Sequence, residues 1–389
     1  MYYNITQRAF LQMKDFNFMS DFTFDLIVAS GEHSADMLYA THLNLPDAFV
    51  YIGCGDKKIA VVSDLEYDRA KANAPAGLTV RNQNEFGSVR SFPELICQLQ
   101  AAYNVKEFRI PFDFPAGLAV QLRKKNINCL VCEKSFFPQR SCKHDYEIEF
   151  IRQAMRVNET AMQKAFDAIA SCSIASDNSL QLDGELFTSE KLRSIIDSTL
   201  AAHDAVGAGT IAAGGVQSSM PHNRGEGALY AHTPIVIDIF PRMNATGYFG
   251  DLTRTVVKGQ APEIVKKAFE AVKIVRDECK DMIHAGVAGS VPYDHALQRL
   301  TGLGFPTGSD ENGFYGFFHG LGHGVGLEIH EAPRLSRQIT HKLQAGEVVT
   351  VEPGVYYPQW GGIRLEDIVV VRSNDCECLT NIDTFLEIE

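Results

Sequence analysis

Five short segments in the second half of the chain each place an acid or a histidine inside an otherwise apolar or glycine-rich stretch. Asp238 interrupts Pro234-Ile-Val-Ile-Asp-Ile-Phe, and Asp251 sits within Gly247-Tyr-Phe-Gly-Asp-Leu-Thr-Arg-Thr-Val-Val. His319, His323 and His330 stand among glycines between Phe317 and Glu331. Glu352 ends the run Val348-Val-Thr-Val-Glu, and Glu366 follows Gly362-Ile-Arg-Leu. A buried carboxylate is costly unless it is paired or binds a metal. One such acid reads as a strand-end charge at a domain surface. Four of them beside a glycine-framed histidine cluster read as a ligand set. Two divalent cations would balance Asp238, Asp251, Glu352 and Glu366, and one bridging hydroxide would leave the site close to neutral. One histidine plus four carboxylates, with no thiolate, suits manganese, cobalt, iron or zinc in a catalytic role better than a closed structural zinc site. Two metals about 3.5–4 Å apart can share a hydroxide, polarise a carbonyl and stabilise a tetrahedral intermediate.

The elements that must position these groups are legible from periodicity. A helix is predicted from Asp145, with Ile148, Ile151, Met155, Met162, Phe166 and Ile169 on one face. A second begins near Thr188 or Ser189, and a third runs from Pro262, a favoured first-turn residue, to Gly286. The last third is strand-rich and glycine-rich, which makes this half an α+β domain. Upstream, strand and helix alternate: a strand over Phe24–Ala29, a helix capped by Ser34, a hairpin about Gly55-Asp56, helices over Phe92–Tyr103 and Ala116–Lys125, and a strand over Ile127–Cys132. That pattern predicts a smaller α/β domain, without a glycine-rich phosphate loop. The break at Phe136-Phe-Pro-Gln-Arg and the polar stretch after it place the boundary so that the domains are 1–142 and 143–389.

The segments Gly322 to Leu335 (GHGVGLEIHEAPRL) and Val351 to Asp367 (VEPGVYYPQWGGIRLED) carry a specific resemblance. They resemble the M24 metallopeptidases, the family that includes Xaa-Pro dipeptidase (prolidase), Xaa-Pro aminopeptidase and methionine aminopeptidase. The resemblance implies a pita-bread catalytic domain preceded by a creatinase/prolidase-type N-terminal domain. It implies that Asp238 binds one metal with both oxygens and that Asp251 and Glu366 bridge the pair. His323 and Glu352 would complete the second metal site, with Glu352 also handling the proton of the attacking water. His222, in Met-Pro-His-Asn, would contact substrate, and His330 would hold the scissile carbonyl or shuttle a proton. His319 would be a further active-site histidine of the Xaa-Pro branch. Arg334 would meet the substrate's C-terminal carboxylate, and Arg364 would orient a ligand carboxylate. The structural alternative is that Arg364 simply pairs with Glu366 or Asp367 on the sheet. The implied cofactors are two divalent metal ions, manganese ahead of cobalt, zinc or iron. The implied partners are a proline-containing dipeptide or short peptide and a second copy of the chain, as a homodimer. Dipeptidase and aminopeptidase both remain open. So do a metal-free enzyme like creatinase, a binding module of this fold without catalysis, and an aminopeptidase not specific for proline; the complete ligand set and the long N-terminal domain weigh against these.

One spacing departs from the family. Twelve residues separate Asp238 from Asp251, where members usually have about ten. Extra residues confined to the loop leave both acids on one face, whereas a change of register turns one away. The loop is the reading adopted, and it puts Pro241-Arg242 near the site.

Composition sets the outer bounds. The chain has 389 residues, enough for two or three domains and for a core that needs no disulfides. Acids outnumber Lys and Arg, 48 to 36, and the net charge of -12 argues against a nucleic-acid or anionic-membrane binder. No apolar run approaches the roughly 20 residues that span a bilayer. Met1 to Asp21 lacks a continuous apolar core and does not read as a signal peptide. Nine scattered cysteines, an odd number, suggest reduced thiols and a cytoplasmic protein. Cys129-Leu-Val-Cys132 has no second pair to complete a zinc site and reads as buried strand cysteines.

Overall fold

The computed structural model describes residues 22–311 and 313–389; the signal-peptide reading of Met1 to Asp21 lies outside the described residues. The chain divides into two compact units between Pro138 and Gln139. The stretch 139–142 joins the second unit because Cys142 bridges to Glu347 and the Lys143 N–H donates to the Gly346 carbonyl.

The first unit is an α/β layer structure. Its strands are β1 (Phe22–Ala29), β2 (Phe49–Cys54), β3 (Lys57–Val62), β4 (Leu78–Asn82), β5 (Val105–Ile110) and β6 (Cys129–Val131), in the order β4-β3-β2-β1-β5-β6. The helices α1 (Ala35–Thr41), α2 (Asp64–Asn73), α3 (Phe92–Tyr103) and α4 (Ala116–Lys124) accompany them. The period of two splits the sheet's side chains between two cores. Phe24, Leu26 and Val28 pack with Leu95, Leu99 and Leu122, whereas Ile27 packs with Met37 and Ala40. The Ser34 side chain caps α1 by accepting from the Met37 N–H. Strand β6 corrects one expectation. It lies at the sheet edge, with Leu130 51% and Val131 52% exposed, so Cys129 and Cys132 are only half-buried.

The second unit carries the long helix α5 (Asp145–Ala170), then α6 (Ser189–Ala202), α7 (Glu263–Asp281) and α8 (Ser290–Gly302). All six apolar residues predicted on the inner face of α5 are buried. Thr188 caps α6 by accepting from Lys191, and Pro262 precedes the first turn of α7. Helix α8 was not legible as a separate element. Pro292 lies in its first turn, where an amide donor has no intrahelical partner to lose.

Two sheets and a hairpin make the frame of the site. One sheet runs β7 (Ile211–Gly214), β8 (Ile235–Ile239), β9 (Leu252–Lys258) and β17 (Glu387–Ile388). The other has β10 (Gly322–Gly324), β11 (Glu331–Leu335), β12 (Val348–Val351), β15 (Asp367–Val371) and β16 (Cys376–Cys378), in the order β11-β10-β12-β15-β16. Strands β13 (Gly354–Tyr357) and β14 (Gly361–Arg364) form the hairpin. No helix among the described residues is long and apolar enough to cross a membrane.

A buried ionic cluster ties the two sheets together. The Glu366 N–H donates to the Thr253 carbonyl at 3.1 Å. The Arg254 guanidinium, 2% exposed, donates to the Thr253 and Glu366 carbonyls at 3.0 and 2.6 Å and to Asp367 Oδ1 at 3.0 Å. From α7, Arg276 and Lys280 reach Asp367 Oδ2 at 3.3 and 2.7 Å. Burial works to raise the Asp367 carboxyl, but the charges of Arg254, Arg276 and Lys280 more than offset it and hold it below its ordinary value. Removing one member of a buried ion pair costs about 3–5 kcal/mol, because it leaves charge uncompensated. Arg254→Met is therefore expected to lower the urea midpoint by a corresponding amount, and an unchanged midpoint would remove this cluster from the account. Because the folded Asp367 carboxyl is depressed, its contribution is complete above the unfolded value near 3.9 and is lost as pH falls through the folded value. Asp367→Asn should accordingly flatten the acid limb of stability.

Candidate metal centre

The hairpin β8–β9 fixes the two aspartates. Asp238 is registered against Thr253 and Ile239 against Leu252. Asp251 lies two residues before Thr253, so the strand alternation turns Asp238, Thr253 and Asp251 to the same face. The extra residues sit in the connection, where Pro241–Met243 forms a short strand paired with Ala205–Gly207. Phe240, rather than Arg242, lines the cavity beside the acids.

His323 is the middle residue of β10, and the glycines on either side have a steric reason. A Cβ on Gly322 would stand 2.0 Å from the Thr350 carbonyl oxygen, and one on Gly324 would stand 2.3 Å from that of Ala332. Only bare backbone fits between the neighbouring strands. The His323 Nδ1 lies 3.2 Å from the Gly324 carbonyl, an acceptor, so Nδ1 carries a proton. Nε2 then faces Glu352 Oε1 at 3.3 Å and Asp251 Oδ2 at 3.6 Å. Glu352 directly follows β12, and Glu366 fills the step between β14 and β15.

All ten residues singled out in the sequence line one cavity of about 1080 Å³ in the second unit: His222, Asp238, Asp251, His319, His323, His330, Arg334, Glu352, Arg364 and Glu366. Asp251, His323 and Glu366 each offer a ligand atom within 4.8 Å of the others. Asp238 and Glu352 flank this trio without joining it at that distance. His222, His330 and Arg334 are exposed and stand at the cavity's open side, while His323 and the two aspartates are buried. The His323 and His330 rings meet edge to face at 4.3 Å.

Supporting contacts hold the acids in place. Arg364 Nη2 donates to Asp238 Oδ2 at 2.6 Å, so Arg364 pairs with Asp238 and not with Glu366 or Asp367. Thr253 donates to Glu366 Oε2 at 2.8 Å, and Thr350 to Glu352 Oε1 at 3.3 Å. Tyr356 was missed in the sequence. Its hydroxyl accepts from Arg364 Nη1 at 3.0 Å and lies 2.9 Å from His319 Nε2. His319 Nδ1 meets the Gly320 carbonyl at 2.7 Å, so Nε2 is the acceptor and both ring nitrogens are engaged by the protein. The signal for Tyr356 was its place two residues beyond Gly354 in an alternating strand, which is too common to single out.

The electrostatics expose the strain of this arrangement. Burial and the neighbouring carboxylates Glu366, Asp238 and Glu352 push the Asp251 carboxyl well above its ordinary value. Burial, Glu352 and Asp238 do the same to Glu366. Burial also raises Asp238, against the Arg364 guanidinium. Burial would raise Glu352, but the hydrogen bond and charge of His323 hold it at about 2. Asp238 Oδ1 is buried with no hydrogen-bond partner among the described residues. A cluster of buried acids that repel one another, one with an orphaned oxygen, is what a divalent cation would relieve. The donors are carboxylate oxygen and imidazole nitrogen, with no cysteine on the cavity wall. The residues fit a divalent cation.

The comparisons with known proteins agree with that chemistry. The profile of Metallopeptidase family M24 matches residues 149–373. This chain belongs to metallopeptidase family M24. Among its M24 relatives, the Xaa-Pro dipeptidase of Pyrococcus horikoshii is 28% identical over 85% of each chain. That of Pyrococcus furiosus is 30% identical over 85% of this chain and 86% of the relative. The fold of the X-Pro aminopeptidase from Thermotoga maritima superposes with a TM-score of 0.80 at 22% identity, over 98% of this chain and 99% of that one. The second unit is the pita-bread domain of an M24 metallopeptidase, and the first is the α/β domain that precedes it in these structures.

For an M24 enzyme with this cluster, metal and pH act on stability together. Asp251 and Glu366 have raised folded values, so the metal-free fold loses stability as pH rises from about 4 through those values. A cation that neutralises the acids removes that loss. The difference in melting temperature between manganese-loaded and chelator-treated protein should therefore widen from pH 4 upward. A difference constant with pH would argue that the acids are not held against one another.

Proposed function

We propose that this metallopeptidase hydrolyses the bond between an N-terminal residue and a following proline in dipeptides or short peptides, with two divalent cations held by Asp238, Asp251, His323, Glu352 and Glu366. The single observation that carries the reading is the convergence of these five side chains with His222, His330 and Arg334 on one cavity. The similarity to proteins named Xaa-Pro dipeptidase, over 85% of the chain, supports the substrate class. When bound, the cations would supply Lewis-acid polarisation of the scissile carbonyl and a water nucleophile at neutral pH. Manganese is the first candidate, with cobalt, zinc or iron as alternatives.

The side chains divide the remaining work. Glu352 is ionised at neutral pH and its Oε1 is engaged by Thr350 and His323. Its Oε2 carries no hydrogen bond among the described residues and is the atom that accepts the proton of the attacking water. Burial, His323 and Arg334 lower His330 to about 4, so it is neutral at pH 7 and one ring N–H can donate to the scissile carbonyl. His222, on the same open side, is placed to hold the substrate backbone. Arg334 makes no ion pair among the described residues and suits the C-terminal carboxylate of a dipeptide. His319, bonded to Tyr356 and Gly320, orients the Arg364–Asp238 pair through Tyr356 and does not move a proton itself. The proposed domains meet between Pro138 and Gln139 rather than after residue 142, and the proposed assembly is a homodimer.

Changing a residue that only orients a ligand costs about 10–100-fold, so losing a ligand should cost more. Asp251→Ala and His323→Ala are each expected to reduce kcat/KM on Leu-Pro by more than about 100-fold and to lower bound metal measured by mass spectrometry. Full activity in either variant would falsify the mechanism. A panel of Leu-Pro, Leu-Pro-Gly and longer Xaa-Pro peptides separates the two activities. Cleavage of the long peptides with dipeptides untouched would assign an aminopeptidase.

A further inference from the structure

The cavity holds an arginine that the proposed reaction does not use. Arg224 lines the wall and is exposed. Its segment is pinned from several sides. The Ala212 N–H donates to the Arg224 carbonyl at 3.1 Å, Arg193 Nη1 donates to the carbonyls of Arg224 and Gly225 at 2.5 and 2.7 Å, and Asn223 Oδ1 accepts from the Gly225 N–H at 2.9 Å. A Cβ at Gly225, where φ is +78°, would meet the Ala212 carbonyl oxygen at 2.1 Å, so the turn admits only glycine. The Arg224 side chain is steadied by one bond, from Nε to the Thr210 carbonyl at 3.2 Å. The guanidinium makes no ion pair among the described residues.

Two arginines thus line the cavity beside different members of the acid cluster. Arg334 is registered against His323 across β10 and β11. Arg224 is tethered to Thr210, whose neighbour Ile211 is registered against Asp238. A dipeptide with its C-terminal carboxylate at Arg334 and its scissile bond at the acids has its N-terminal residue on the side of the acids away from Arg334, and among the described residues Arg224 is the other cavity arginine free to meet it. The four acids on the cavity wall are the four proposed ligands, so bound cations leave the wall net positive. Arginine presents a planar fork of donors that matches a carboxylate, and a lysine or arginine side chain there would meet like charge.

We propose that Arg224 forms a subsite for a carboxylate side chain on the substrate's N-terminal residue, so that the enzyme favours Glu-Pro and Asp-Pro over neutral and basic Xaa-Pro dipeptides. The proposal rests on the Xaa-Pro reading above. Its test compares near-isosteric substrates on the metal-loaded full-length enzyme: Glu-Pro against Gln-Pro, with Leu-Pro and Lys-Pro alongside. A charge-assisted pair in a partly exposed site predicts kcat/KM about 10-fold higher for Glu-Pro than for Gln-Pro, with Lys-Pro poorest. Arg224→Gln should bring the Glu-Pro to Gln-Pro ratio close to one, and Arg224→Lys should keep part of it. Because the readout is a ratio within one protein, partial loss of folded enzyme does not change it. Cleavage of Leu-Pro with equal rates on Glu-Pro and Gln-Pro overturns the subsite and leaves the Xaa-Pro reading intact. A wild-type preference that survives in Arg224→Gln also overturns it. No cleavage of any of the four dipeptides overturns the dipeptidase reading and the subsite with it.

Discussion

Four carboxylates crowd one cavity of this protein, and much of the second unit is arranged around that fact. Like charges out of water repel one another strongly and resist ionisation. Asp251 and Glu366 show this in their raised values, and Asp238 in an oxygen without a partner. A fold that keeps such a cluster must either neutralise it with cations or hold each acid by other means. Here the other means are visible and partial. Arg364 holds Asp238, Thr253 holds Glu366, and Thr350 and His323 hold Glu352. The Asp251 backbone N–H donates weakly to the Met155 sulfur, and its carboxylate meets His323 at 3.6 Å. The unmet remainder is what gives the cluster its affinity for a cation.

Rigidity is the second consequence. A ligand set works only if its members stay within a few tenths of an ångström of the productive arrangement. The five side chains come from two sheets and the ends of their strands, so the sheets must not slide. The Arg254 guanidinium bonds the carbonyls of Thr253 and Glu366 at once and pairs with Asp367, while α7 adds Arg276 and Lys280 from behind. A buried charge cluster therefore lies on the far side of the same strands that carry the acids. Burying these charges is a weak source of net stability. Its value lies in register: any slip strands an ion in the interior.

The sequence was readable where a residue's type and its neighbours' types sufficed. The inner face of α5 was legible because a period of 3.6 records burial directly. The hairpin at Gly55-Asp56 was legible because the turn has its own chemistry. Helices α2 and α8 were not, since the first carries almost no apolar face and the second begins across a proline. The half-exposed β6 was misread as a buried strand because an apolar run does not say whether it sits at the middle or the edge of a sheet. Tyr356 escaped for a related reason. Its importance lies in contacts to His319 and Arg364, 37 and 8 residues away, that no local pattern encodes.

The sequence by itself determined the candidate ligands. Acids set in apolar strands beside a histidine between glycines have few physical explanations other than a bound cation, and the order of the motifs carried the family. Tertiary structure decided which atoms meet. It put the extra residues between Asp238 and Asp251 into the connection, so that strand alternation kept both acids on one face. It gave Arg364 to Asp238, although the chain places Arg364 two residues from Glu366, because β14 packs against β8 and β9 and brings the guanidinium to the Asp238 carboxylate. It also brought Arg224 and Arg334, more than a hundred residues apart in sequence, to one cavity.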